Sequence, residues 1–312
     1  MAKKKTASSR TQTPKQRNCG AMPQHLYLLE TYPSFRRNQI SLEHASRARL
    51  RMVAAAPRAP QKITVVVHVV HNPASPKERI SAAQVRSQIA VLNRDFRARN
   101  PDRNNAPAVF RGLVADPMIE FVLATKDPRG QRTTGITFTR TTRTSFSDRG
   151  DPVKFKATGG VKAWNTKKYL NIWVCTLSDR LLGYAQFPGG PSNTDGVVIL
   201  NTAFGTTGSA AAPFNLGRTA SHEIGHFLNL RHIWGDDEDC SGSDLVDDTP
   251  NCETANMGKP AFPHVSCVNG PNGDMFMNYM DYTDDDSMFM FTPGQVSRMR
   301  TTLEGPRKSL VR

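Results

Sequence analysis

Residues 222–232 read HEIGHFLNLRH, and no other stretch of the chain narrows the possible folds as far. Positions four apart on a helix are separated by about 400°, so His222 and His226 project from one face on successive turns and can grip one ion from the same side. His232 lies six residues beyond His226, too far round to share that face if the helix continues. A third imidazole on the same ion therefore requires the helix to stop and the backbone to turn sharply. Asn229 stands where that turn is needed, and Asn accepts a positive φ better than most residues other than Gly. Three neutral imidazoles leave the fourth position of a tetrahedral zinc open, which is the arrangement of a catalytic rather than a structural site. Glu223 points to the flank of the ion, where a carboxylate can take a proton from activated water and pass it to a leaving amine. His25, His44, His68, His71 and His264 have no such spacing and read as ordinary surface or core residues.

The 312 residues accommodate a catalytic domain of roughly 200 to 250 residues with an appendage. No stretch approaches the ~18 apolar residues of a membrane span, so no membrane partner is expected. The net charge of +14 invites a nucleic-acid reading, but its distribution argues against one. Residues 1–60 hold twelve Lys/Arg against Glu30 and Glu43, whereas residues 236–286 hold thirteen Asp/Glu against Lys259 alone. Two such segments on one chain attract each other. Taken alone, MAKKKTASSRTQTPKQR at the start reads as a solvated tail. Met1–Arg17 also lacks the apolar core of a secretory signal, and LYLL at 26–29 falls short of the ~7 residues that core needs. Five cysteines, an odd number, leave at least one unpaired in a monomer.

The remaining pattern is that of an α+β protein. Residues 18–50 mix short apolar clusters with Arg, and Ala54–Lys62, rich in Pro, Ala and Arg, reads as a linker. Ile63–Val70 is a β-branched run suited to a strand buried on both faces. Ser81–Arg97 sets Val85, Ile89, Leu92 and Phe96 at helical spacing behind a Ser cap. Further strands are predicted at Ile119–Ala124, Gly135–Arg140, Leu170–Cys175, Leu182–Phe187 and Gly196–Leu200. A helix over Arg218–Leu230 carries the histidines. After a loop-rich stretch, Thr292–Leu303 forms a closing helix with Pro in its first turn.

HExxHxxxxxH is similar to the zinc signature of the metzincin metalloproteases, in which a downstream Met-turn supports the ligands from below. Asn278–Tyr282 (NYMDY) resembles that turn. The resemblance implies Met280 as the floor of the site and Tyr282 as a stabiliser of the transition-state oxyanion. The usual Gly of the signature is Asn229 here. A finer resemblance, to the ulilysin-like branch of the pappalysin family, is carried by LLGYAQFPGG (181–190), HEIGHFLNLRHIWGD (222–236), DLVDDTP (244–250), GDMFMNYMDYTDD (273–285) and FTPGQVSRM (291–299). It implies a catalytic domain over 61–312. An upper subdomain (about 61–232) would have a twisted sheet and two helices, and a lower, irregular one (about 233–312) would end in a helix. Gly183, Tyr184 and Ala185 would belong to an edge strand that pairs with an extended peptide. A structural calcium would be held by Asp244, Asp247, Asp248 and Thr249. Cys240 and Cys267 would form a disulfide. Cys252 would lack its usual mate, whose place is taken by Ser287, and Cys175 reads as a buried, inert thiol. The family resemblance also implies an extracellular location and cleavage before Arg or Lys, through Asp286 at the bottom of the pocket.

RNCGAMP (17–23) resembles the cysteine-switch segments of metzincin pro-regions. Residues 1–60 would then be a pro-segment, with Cys19 as the zinc ligand of a latent form and the basic residues docked on an acidic cleft. Arg47, Arg49, Arg51 and Arg58 would be points of self-removal. The expected molecule is a zinc endopeptidase made as a zymogen, a monomer whose partners are peptide substrates and its own pro-segment. Two other readings are open. HEIGH could take Glu238 or Glu253 as its third ligand, or the chain could be a basic nucleic-acid-binding protein with a structural zinc, which leaves Glu223 and Tyr282 without a role.

Overall fold

The computed structural model describes residues 14–50 and 59–311; the tail before residue 14, the Ala54–Arg58 part of the linker and the cleavage candidates Arg51 and Arg58 lie outside the described residues. Strand β1 (Gln61–His71) is the spine of the molecule, buried from Ile63 to its end, as a Val-rich run covered on both faces must be. On one side it pairs in parallel with β2 (Ile119–Leu123) along its first half and with β3 (Ile136–Arg140) along its second. On the other side lies β4 (Leu170–Cys175), followed by parallel β6 (Val197–Leu200) and by antiparallel β5 (Gly183–Ala185) at the edge. The edge strand is thus shorter than the predicted Leu182–Phe187.

Helix α3 (Ala82–Asp95) is capped by the Ser81 hydroxyl, which accepts from Gln84 N. After the short α4 (Ala108–Arg111), the next helix is α5 (Arg218–Phe227), and α6 (Pro293–Glu304) closes the chain behind a Thr292–Gln295 capping box. The main core joins one face of the sheet (Val65, Val67, Ile172, Ile199) to α3, α5 and α6 through Leu92, Ile224 and Met299. The opposite face buries Trp173, Tyr184 and Val198 against the loop residues Phe146 and Val153. From residue 233 onward regular structure is sparse: the two-residue strands β7 (Met257–Gly258) and β8 (Tyr282–Thr283), α6, and loops tied by the Cys240–Cys267 disulfide. This is the α+β architecture expected, two helices on the sheet and an irregular lower part ending in a helix.

Residues 18–50, read from sequence only as mixed clusters, form two helices, α1 (Ala21–Thr31) and α2 (Pro33–Leu50). Tyr32 between them is extended, as the residue before a proline tends to be, and Pro33 sits at the first position of α2, where its missing N–H costs nothing. Cys19, Ala21, Leu28 and Phe35 pack on Phe187, while α2 lies against α6. Burying Leu28 and Phe35 stabilises this docking by about 1.5–3 kcal/mol each.

Candidate active site

Helix α5 ends where the histidine spacing requires. Leu228 N and Leu230 N both bond to Gly225 O, and Asn229 between them has φ +74. The turn brings His232 back beneath His222 and His226. Their Nε2 atoms lie 3.1, 3.1 and 3.3 Å apart. Nitrogens bound tetrahedrally to one zinc at 2.0–2.1 Å would stand about 3.3 Å apart, so the triad fits that ion. Each Nδ1 is engaged, by Tyr279 O at 2.8 Å, Leu230 O at 2.8 Å and Asp236 Oδ1 at 2.5 Å, which leaves every Nε2 directed at the common point. Asp236 was not singled out from the sequence, although its position four after His232 was a usable signal. Trp234, stacked on the His232 ring at 4.3 Å, was also missed.

Two glycines permit the packing around this cluster. A Cβ on Gly225 would meet Met280 Sδ at 2.3 Å, so the fully buried methionine seats directly under α5. A Cβ on Gly183 would stand 2.8 Å from Glu223 Cγ, so the edge strand passes over the glutamate only because that position is bare. Tyr282 packs edge-on to His232 and Trp234, with its hydroxyl toward the cluster.

Cys19 is 5% exposed, and its Sγ lies with the three imidazole nitrogens in a group whose atoms are all within 4.8 Å of one another. It is the one such His/Cys/Asp/Glu cluster among the described residues. The thiol donates to Glu223 Oε2 at 3.3 Å, and Cys19 N donates to the Tyr282 hydroxyl at 3.2 Å. Burial, then the Glu223 charge, pushes the Cys19 thiol well above its ordinary value, and burial pushes Glu223 up to about 8. Burial, then the neighbouring histidines, holds His222 well below the usual imidazole range, and His226 likewise. A pocket that suppresses charge of either sign on its donors suits a cation supplied from outside.

The N-terminal segment threads the cleft alongside β5 in parallel, with Leu182 N donating to Asn18 O at 2.9 Å and Gly20 N to Gly183 O at 2.9 Å. Two residues before the cysteine, Arg17 enters a pocket below the cluster. Its guanidinium donates to Asp285 Oδ1 (2.7 Å), Thr219 Oγ1 (3.1 Å) and Thr283 O (3.2 Å), with both charged side chains at most 1% exposed. Asp285 also accepts from Leu216 N at 2.8 Å and Arg218 N at 3.2 Å. Asp286, nominated from sequence as the pocket acid, instead faces solvent and pairs with Lys259. Both lie in the turn at 285–287, and it is Asp285 that is buried. A second anchor has the reverse polarity: Glu43 of α2 receives both arms of the Arg298 guanidinium, at 2.7 and 2.8 Å, and the Asn229 amide at 3.1 Å. Docking therefore does not follow bulk charge, since of the acidic stretch 236–286 only Asp285 forms an ion pair with the described part of the segment.

The loop nominated for calcium is divided. Asp244 is buried and accepts from Thr249 Oγ1 at 2.8 Å and Val246 N at 3.0 Å, but Asp247 is exposed. Asp248 turns to the start of α6, where Thr292 Oγ1 and Gly294 N donate to it. The three carboxylates do not converge, because one of them serves a helix terminus. Cys175 and Cys252 are buried thiols, and Ser287 is not bonded to Cys252. Glu238 and Glu253, the alternative third ligands, are exposed and stand outside the histidine cluster.

Comparison with known proteins gives one consistent picture. Residues 159–304 match the peptidase family model described as Pregnancy-associated plasma protein-A. An extracellular metalloprotease of Pyricularia oryzae is 34% identical over 253 residues, covering 78% of this chain and 76% of its own. An extracellular metalloprotease of Trichophyton verrucosum is 30% identical over 293 residues, with 91% and 89% covered. Among solved structures, Tannerella forsythia mature mirolysin in complex with a cleaved peptide is 53% identical with a TM-score of 0.79, over 81% of this chain and 96% of that one. A Tannerella forsythia promirolysin mutant is 47% identical with a TM-score of 0.87, over 94% and 97%.

Proposed function

The chain belongs to the pappalysin family of metzincins and is a zinc metalloendopeptidase, and from that premise we propose that residues 1 to about 60 hold it latent and that, once freed of them, it cleaves peptide bonds preceding Arg or Lys. The observation that carries this reading is the Arg17 guanidinium, buried on Asp285 two residues from a cysteine that sits at the histidine cluster. A substrate Arg or Lys fits the same pocket and meets the same carboxylate. Asp285 thus takes the role first given to Asp286.

His222, His226 and His232 would hold the zinc, with Cys19 as an additional ligand in the latent form. When bound, zinc supplies the positive charge that acidifies water and polarises the scissile carbonyl. Everything else falls to the protein. An extended peptide pairs with Gly183–Ala185, whose edge is available once the N-terminal segment leaves. Glu223, in its carboxylate form, takes the proton of the attacking water and delivers it to the departing amine nitrogen. The Tyr282 hydroxyl donates to the oxygen on which negative charge develops, and Met280 holds α5 from below. The 17–24 segment is not cut in place. It enters the Asp285 pocket first and leaves past the cysteine, whereas a substrate with its residue after the scissile bond in that pocket runs the other way.

Secretion is supported by the names of the fungal relatives, both called extracellular metalloproteases. The test of the main reading is digestion of a denatured protein mixture with and without a chelator, followed by sequencing of the new N-termini. Arg and Lys at the first position, lost with chelation, are expected; apolar residues there would refute the specificity.

A further inference from the structure

On the face of β5 opposite α5 lies a buried polar cluster that the hydrolytic reading does not use. Asp151 and Lys154, 4% and 0% exposed, are paired there at 2.7 Å. The lysine donates to Thr194 O at 2.7 Å and lies over the Trp173 and Tyr184 rings. The Tyr184 hydroxyl is fully buried and has no hydrogen-bond partner. A buried ion pair beside an unsatisfied hydroxyl stabilises a fold poorly compared with apolar packing, so the cluster calls for another reason to exist.

Its occupant supplies one. Gln24 of α1, 3% exposed, donates its carboxamide to Asp151 Oδ2 at 2.9 Å. The segment reaches it by passing over Asp148 and Tyr184 at Gly20, where a Cβ would stand 3.2 Å from Asp148 Oδ2 and 3.3 Å from Tyr184 Cβ. Along the segment the order is Arg17 on Asp285, Cys19 at the histidines, Gln24 on Asp151, so the two acids are met on either side of the metal-facing cysteine in chain order.

We propose that Asp151, Lys154 and Tyr184 form a substrate subsite for a carboxamide side chain, Gln above all, on the part of the peptide preceding the scissile bond, and that Gln24 fills it in the latent chain. This rests on the reading that Asp285 receives the residue after that bond. The chemistry selects the amide. A cationic side chain meets Lys154, an acidic one meets Asp151 and Asp148, and an apolar one leaves Asp151 Oδ2 without its donor. A carboxamide gives Asp151 Oδ2 its donor without bringing a charge beside Lys154.

Two measurements test it. In the full-length chain, the alkylation rate of Cys19, located by peptide mapping, reports undocking of the segment; Gln24→Leu and Gln24→Glu are expected to raise it about tenfold, the loss of one hydrogen bond to a charged group. In the self-processed enzyme, peptides with Arg after the scissile bond and Gln, Leu, Lys or Glu at each preceding position are compared. One position is expected to favour Gln about tenfold in kcat/KM, and Asp151→Asn to reduce that ratio. A ratio between two peptides within one preparation does not depend on how much of the variant folds. Efficient cleavage with no Gln preference, or unchanged Cys19 alkylation in both Gln24 variants, overturns the subsite and leaves the peptidase standing; absence of cleavage of every peptide overturns the specificity reading and the subsite with it.

Discussion

Replacing Arg17 with Ala removes the guanidinium from a pocket in which both charges are at most 1% exposed. Truncating one member of a buried, hydrogen-bonded charge pair costs ~2–5 kcal/mol, mostly because the partner is left buried and unpaired. Asp285 is not left bare, since Leu216 N and Arg218 N still donate to it, and this places the loss in the lower part of the range, ~2–3 kcal/mol. Undocking of the segment should therefore become about 30- to 150-fold more frequent. The assay is the initial rate of the zinc-loaded, uncut chain on a fluorogenic peptide carrying Arg after its scissile bond, with gels confirming that no processing has occurred. Arg17→Lys retains the charge but not the three-way donation to Asp285, Thr219 and Thr283, so it should fall between parent and Ala. An Ala variant within about threefold of the parent refutes the claim that this pair anchors the segment.

Asp285→Asn in the processed enzyme should lower kcat/KM for Arg-containing peptides by about tenfold or more while Asp286→Asn changes it little; the reverse pattern returns the pocket to Asp286. Asp236→Asn should weaken zinc binding about 10- to 100-fold, read by competition with a chelating dye, because Asp236 aligns the His232 ring; unchanged affinity removes it from that role. Burial holds His25 down to about 4 against an ordinary value of 6.5. Between those values the undocked segment binds the proton and the docked one does not. The stabilisation is accordingly complete above pH 6.5 and lost as pH falls toward 4, so acid should raise the Cys19 alkylation rate relative to that of a free thiol at the same pH across that window. In His25→Asn the acceleration should be smaller, and an equal one assigns it to other groups.

The parts of this protein that follow from its sequence are those set by short-range geometry. The i, i+4 spacing of His222 and His226, the need for a turn before His232 and the tolerance of Asn229 for positive φ act within eleven residues. The β-branched runs of β1 and β4 announce buried strands without knowledge of their partners. Helices α1 and α2 escaped notice because their apolar faces are short and rest on surfaces supplied by Phe187 and α6, so tertiary contact rather than local periodicity forms them. The family match points to Asp286, whereas Asp285 is the carboxylate buried on Arg17, because the turn at 285–287 is set by packing against Leu216 and Arg218 and not by a local pattern. Gln24 meets Asp151 across 127 residues and Glu43 meets Arg298 across 255, pairings for which no local pattern exists. The metal-binding chemistry is written in one helix and its turn. What enters the cleft, in which direction and held by which charges, is decided where distant segments are brought into contact.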